Sequence, residues 1–99
     1  MCSMGTVGRL NRNAMDACRK GELNEAEDKL LAALRLTKCK PGGCFEIKIL
    51  ANLGIVYELQ GEKQKALLHY EGARELVRAK NAVEHPLYFR LTANIARVS

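Results

Sequence analysis

Four cysteines and two histidines are the residues whose chemistry could most readily define a site in this chain. Cys39 and Cys44 flank Pro41-Gly42-Gly43, so they could close a disulfide or supply half of a metal site. A structural zinc site needs four ligands, commonly in two close pairs. The other candidates lack that spacing: Cys2, Cys18, His69 and His85. We therefore predict no metal ion and no cofactor, and the redox state of Cys39 and Cys44 stays open.

A run of carboxylates could suggest catalysis: Glu22, Glu25, Glu27 and Asp28. Paired carboxylates can act as a general acid and a general base. These four stand where a helix is expected to begin, however, and negative side chains at that end stabilise the helix dipole. The sequence also contains no nucleophile with a base partner and no phosphate-binding glycine loop. We predict that the protein is not an enzyme.

Glycine and proline divide the chain into helical segments. A first helix is expected from about Thr6, which could cap it, to Lys20, and Gly21 would end it. The later helices are expected from near Glu22, from about Phe45 to Gln60, from Glu62 to about Asn81, and from Pro86 to the terminus. No alternating apolar and polar run indicates a strand, so the predicted fold class is all-α.

Two of these helices carry matching apolar faces. At a period of 3.6 residues, one face holds Leu50, Leu53, Gly54 and Tyr57, and the next helix holds Ala66, Tyr70 and Ala73. The small residues would let the two helices approach closely, and the tyrosines would fill the remaining space. Gly61 supplies the left-handed helix end that a sharp reversal requires. The pattern predicts a tight antiparallel helix pair.

This helix pair recurs along the chain. Arg19-Lys-Gly-Glu-Leu-Asn-Glu-Ala26 aligns with Leu59-Gln-Gly-Glu-Lys-Gln-Lys-Ala66 at an offset of 40 residues. Ala51-Asn-Leu-Gly-Ile-Val56 aligns with Ala93-Asn-Ile-Ala-Arg-Val98 at an offset of 42 residues. The sequence therefore predicts two helix pairs followed by one unpaired helix, which gives five helices.

The spacing from Leu53-Gly54 through Tyr57, Gly61 and Ala66 to Tyr70 and Ala73 resembles the tetratricopeptide repeat. The offsets exceed the ~34 residues of the common repeat, and with His85-Pro86 they resemble the longer variety of about 42 residues found in kinesin light chains. The resemblance implies a right-handed α-α superhelix of two and a half repeats. The expected single domain spans 1–99, with repeats at about 7–38 and 45–81 and a half repeat at about 86–98.

In that family the first helix of each pair lines a concave groove that holds a ligand peptide. The resemblance places these residues in the groove: Arg12, Met15, Arg19, Lys48, Asn52, Ile55, Arg90, Asn94 and Arg97, together with Asn11 and Glu58. Asn52 and Asn94 recur at equivalent positions, and an amide can pair with the main chain of an extended peptide. The basic residues favour carboxylates. The expected function is a protein–protein interaction module that binds an acidic peptide or partner domain; ordinary exposed polar side chains are the alternative interpretation.

Composition limits the remaining classes of function. The net charge is +5, but the basic residues are spread along the chain, so nucleic-acid binding is not expected. No segment approaches the ~20 apolar residues of a membrane span, and the first residues lack the features of a secretory signal. These features predict a cytoplasmic protein. The alternative function is homo-oligomerisation through the unpaired C-terminal helix, because no sixth helix covers it.

Overall fold

A computed structural model describes residues 4–99, and this part of the chain is all-α, as predicted. The helices are α1 (Met4–Arg19), α2 (Leu23–Leu36), α3 (Cys44–Leu59), α4 (Lys63–Ala79) and α5 (Pro86–Val98), with a 3₁₀ turn at Thr37–Cys39. The prediction that Thr6 caps α1 is wrong, because the helix already begins at Met4. The other predicted helices all form, and their ends lie within two residues of the expected ones.

The turns inside both helix pairs are built in the same way. Gly21 and Gly61 adopt φ angles of 82° and 80°, in the left-handed region that favours glycine. After α3, the Glu62 N–H donates to the Tyr57 carbonyl at 2.8 Å and so closes the helix end. Asn81 takes the corresponding place after α4 with φ 56°, because asparagine tolerates this conformation better than other non-glycine residues. The predicted role of Gly61 is confirmed.

α3 lies at the centre of the molecule. Its buried residues are Ile47, Ile49, Ala51, Leu53, Gly54, Val56 and Tyr57, which cover more than half of its circumference. It packs against α4 within its own pair and against α2 of the preceding pair. A helix that is apolar over so much of its surface needs neighbours on more than one side. α3 therefore joins the first helix pair to the second.

The closest approach in the core is between α3 and α4 at Gly54. A Cβ atom at this position would lie 2.5 Å from Tyr70 Cδ1 and 2.9 Å from Tyr70 Cζ, which is too close for any side chain. The Tyr70 ring is fully buried. Gly54 therefore allows the ring to lie flat against the α3 backbone, as the sequence pattern predicted.

The connector between the two pairs contains Cys39, and Cys44 is the first residue of α3. Thr37 is buried, and its hydroxyl donates to the Leu34 carbonyl at 2.7 Å. Gly43 precedes α3 in an extended conformation. Cys44 carries a free thiol. A disulfide between Cys39 and Cys44 is therefore absent from the structure.

α5 packs on α4 through one face only. Leu91 and Ile95 are buried there, and Tyr88 and Val98 beside them are half-buried. The helix begins with Pro86, and the Leu87 N–H donates to His85 Nδ1 at 3.0 Å. The opposite face of α5 is exposed and consists of Phe89, Thr92, Ala93 and Ala96.

Candidate functional site

A cavity of about 340 Å³ opens between α3 and α5, which both pack on α4. Five of the predicted groove residues line it: Lys48, Asn52, Ile55, Arg90 and Asn94. The structure adds His85, Pro86 and Leu87, which the sequence interpretation did not assign to the site. The sequence signal for them was that they stand at the start of the helix that carries Arg90 and Asn94. We call this cavity and its lining residues the α3–α5 groove.

Asn52 connects the α3–α5 groove to α1. Its Nδ2 group donates a hydrogen bond of 2.8 Å to Asn11 Oδ1. Both side chains are half-buried, so water competes less with this bond than at an open surface. Asn52 is thus held in a fixed position by the neighbouring repeat.

Arg97 does not contribute a free charge to the groove. Its Nη2 and Nε groups donate to the two oxygens of Glu58, at 2.7 Å and 3.1 Å, in a bidentate ion pair. The Tyr70 hydroxyl also donates to Glu58, at 2.9 Å. The hydrogen bond from Arg97 holds the pKa of Glu58 below its ordinary value, while burial acts in the opposite direction. The pair joins α5 to α3.

The same arginine positions Asn94. Arg97 Nη1 donates to Asn94 Oδ1 at 3.0 Å, one turn away on α5. Glu58 therefore holds Arg97, and Arg97 holds Asn94. The sequence interpretation placed all three residues in the groove but did not find this chain of contacts.

The three predicted residues of α1 lie outside the cavity lining. Arg19 is paired with Asp16 on the exposed end of the helix. Met15 is half-buried and packs against the core, and Arg12 is exposed. The structure therefore brings the α3 and α5 residues together, while α1 contributes to the groove through Asn11.

The charge of the α3–α5 groove is positive. Lys48 and Arg90 line it, and none of its lining residues is acidic. Lys48 Nζ lies 5.9 Å from the centroid of the Phe45 ring, a cation–π contact. Within residues 4–99, Arg90 has no ion pair and no hydrogen bond from its guanidinium. The groove can therefore bind an anionic group without first breaking an ion pair of Arg90.

A family model described as the tetratricopeptide repeat matches residues 7–79, which is more than half of the chain. The chain belongs to the tetratricopeptide repeat family. Searches of curated proteins and of solved structures each returned no match. Repeats of this family are generally protein–protein interaction modules. The fold is therefore a helical-repeat superhelix, as the sequence predicted.

The family match covers most of α1 and all of α2, α3 and α4, and it ends before α5. α5 nevertheless lines the groove together with α3, because Asn94 and Asn52 face the same cavity. Half of the α3–α5 groove thus comes from a helix beyond the matched residues.

Neither a metal-ligand cluster nor a membrane-spanning helix is found in the described part of this tetratricopeptide repeat chain. In the part of the chain from 4 to 99, no group of three His, Cys, Asp or Glu residues could hold a metal ion. Cys2 lies outside the described residues, so the absence of a metal site stays a prediction. No helix within 4–99 is long and apolar enough to cross a membrane.

Proposed function

We propose that this protein is an interaction module whose α3–α5 groove binds an extended acidic segment of a partner protein. The observation that carries the proposal is a groove lined by two cations, Lys48 and Arg90, with two amides and no carboxylate. Catalysis is not part of the proposal, because no lining residue pairs a nucleophile with a base.

The lining suits a peptide better than a small anion. Ile55 and Leu87 give the groove apolar surface, while Asn52 and Asn94 can pair with peptide main-chain groups. Arg90 presents a planar set of donors that can bind a carboxylate in a bidentate way. The net charge of +5 would also raise the rate of encounter with an acidic partner.

The proposal is tested by titrating the ¹⁵N-labelled chain with an acidic peptide. We expect the amide signals of Lys48, Asn52, Arg90 and Asn94 to move, and the Asn52→Ala substitution to weaken binding about tenfold, ~1.4 kcal/mol. Gln64→Ala is the matched control, since Gln64 is an exposed amide on α4 outside the groove. Binding should also weaken as salt screens the charges. Unmoved groove signals, or equal effects of both substitutions, would contradict the proposal.

We propose in addition that the repeats are of the longer, kinesin-light-chain-like variety and that the described helices form one domain. The equivalent glycines Gly21 and Gly61 are 40 residues apart, and Asn52 and Asn94 are 42 apart. The segment from Thr37 to Gly43 between α2 and α3, together with the 17 residues of α4, accounts for the added length. The repeat boundaries and the cytoplasmic location stay predictions.

Self-association through α5 is a second candidate function. Phe89 is 61% exposed, and it shares one face of α5 with the exposed residues Thr92, Ala93 and Ala96. This face is self-complementary in an antiparallel pairing of two copies. Phe89 would then lie against Ala96 of the second copy, and Thr92 against Ala93 of the second copy. A large side chain opposite a small one is the arrangement that lets two helices pack closely.

A further inference from the structure

The two equivalent asparagines of the α3–α5 groove use opposite halves of their amides within the fold. Asn52 donates through Nδ2 to Asn11, at 2.8 Å, whereas Asn94 accepts on Oδ1 from Arg97, at 3.0 Å. With respect to residues 4–99, the groups left without a partner are Asn52 Oδ1 and Asn94 Nδ2. The groove therefore offers one carbonyl acceptor on α3 and one amide donor on α5.

We infer that the groove has a hydrogen-bonding polarity, in which Asn52 accepts an N–H group of the bound peptide and Asn94 donates to a carboxylate of that peptide. This inference rests on the proposed function, because it assigns roles within the same groove. Arg97 only donates hydrogen bonds, so turning the Asn94 amide over would break its bond to Arg97. Turning the Asn52 amide over would break its bond to Asn11 unless the Asn11 amide turned as well.

The position of Arg90 supports the assignment of a carboxylate to Asn94. Arg90 lies one helical turn before Asn94 on α5, and both line the cavity. A carboxylate between them would meet an unpaired guanidinium and an amide donor together. At Asn52 the free group is an oxygen, which would repel a carboxylate and attract an N–H. The acidic side chain of the ligand is therefore expected at the α5 side of the groove.

Two nearly isosteric substitutions test the polarity: Asn52→Asp and Asn94→Asp. Each adds one negative charge, so their effects on the overall charge are equal, but a carboxylate accepts hydrogen bonds and does not donate them. Asp at position 52 keeps the acceptor, and the Asn11 amide can turn to donate to it. Asp at position 94 removes the donor and places a negative charge against the ligand carboxylate.

The probe is the heptapeptide acetyl-Gly-Glu-Gly-Glu-Gly-Glu-Gly-amide, and its dissociation constant is measured by NMR titration of the full chain. We expect Asn94→Asp to weaken binding at least tenfold more than Asn52→Asp does. Circular dichroism establishes that both variants are folded. If one variant fails to fold, the unsubstituted chain is compared with the same peptide carrying Gln in place of every Glu, and we expect at least a tenfold loss.

The possible results distinguish a wrong polarity from a wrong proposed function. If the unsubstituted chain binds the probe but both aspartate variants weaken binding equally, or the Asn52→Asp variant weakens it more, the inferred polarity is wrong and the proposed function stands. Undiminished binding of the Gln-containing peptide would overturn both the role of Asn94 and Arg90 and the preference for an acidic segment in the proposed function. If the unsubstituted chain does not bind the probe, the proposed function is wrong, and the polarity with it.

Discussion

Gly54 leaves room on α3 for the ring of Tyr70 from α4. The pattern placed a small residue on the α3 face that meets α4, and the Tyr70 ring fills the space left by the absent side chain. Tyr70 is held there at two points, by burial of its ring and by its hydrogen bond to Glu58. Burial, with the neighbouring Glu58, raises the pKa of Tyr70, so the hydroxyl stays a donor over the physiological pH range.

Substituting Gly54 by Ala should therefore destabilise the protein. The new Cβ would lie 2.5 Å from Tyr70 Cδ1, and relieving such overpacking typically costs ~1–3 kcal/mol. The loss should exceed the ~0.5–1 kcal/mol that alanine gains over glycine in a helix. Urea unfolding followed by circular dichroism measures the change in the free energy of unfolding.

Gly72→Ala is the matched control for this prediction. Gly72 is also inside a helix, but a Cβ there would meet only Leu50 Cδ1, at an ordinary 3.9 Å. This substitution should stabilise the protein by ~0.5–1 kcal/mol. A Gly54→Ala variant that is as stable as the Gly72→Ala variant would disprove the close packing of Tyr70 on α3.

The sequence did not predict which polar side chains contact one another. Glu58 and Arg97 were both assigned to the groove, but their ion pair depends on the rotamers of two long side chains from different helices. The same applies to Asn11 and Asn52, which are 41 positions apart. Periodicity identifies which face a residue is on, and it does not identify which of several polar neighbours that residue contacts.

At the scale of elements, the positions of the helices followed from turn residues and apolar spacing. Gly21, Gly61 and Pro86 each stand where the structure ends or begins a helix. The start of α1 was not found, because Thr6 can act as a cap only if the residues before it leave the helix. Met4 and Gly5 continue the helix instead, so Thr6 lies inside it.

α5 differs from the other helices because it packs through one face and is tied to α3 by the Glu58–Arg97 ion pair. The pKa of Glu58 is lowered from its ordinary value of 4.5, first by the hydrogen bond from Arg97. A carboxyl whose pKa is lower in the folded state stabilises the fold fully above its unfolded pKa. That contribution is lost as the pH falls through the folded value. Docking of α5 should therefore weaken below about pH 4.5.

Hydrogen exchange of the α5 amides measures this loss. In the unsubstituted chain, exchange of α5 should accelerate in acid relative to α3, after correction for the intrinsic pH dependence. Glu58→Gln should abolish that acid-dependent change, because glutamine does not titrate. Glu25→Gln is the control, since the Glu25–Lys29 pair lies within α2, away from α5. An identical response of α5 in both variants would exclude the ion pair as the tie.

At the scale of the whole molecule, the chain presents two separate surfaces for other molecules. The α3–α5 groove is cationic, and the outer face of α5 is uncharged, with Phe89 as its one large apolar side chain. The superhelix could be predicted from the repeated motif, because each helix pair buries its apolar face on the next. The sequence does not predict which of these surfaces binds a partner, because an exposed patch has the same sequence pattern whether or not a partner covers it.

Self-association through the outer face of α5 should depend on Phe89. Phe89→Asp should abolish any dimer, because it would place a charge in an apolar contact. Leu68→Asp is the control, since Leu68 is an apolar residue of α4 with a similar exposed fraction, 66%, outside this face. Sedimentation equilibrium over a range of concentrations gives the association constant of each protein.

Salt should affect the two proposed functions in opposite directions. Two copies that each carry a charge of +5 repel one another, so salt should strengthen a dimer held by an apolar contact. Salt should weaken the binding of an acidic peptide, because that attraction depends on Lys48 and Arg90. The patch is small compared with the ~1,200–2,000 Å² buried in stable complexes, so the dimer is expected only at high protein concentration. A chain that stays monomeric at high concentration and high salt, or loses its dimer equally through Leu68→Asp, would rule out the α5 face and leave the groove as the interaction surface.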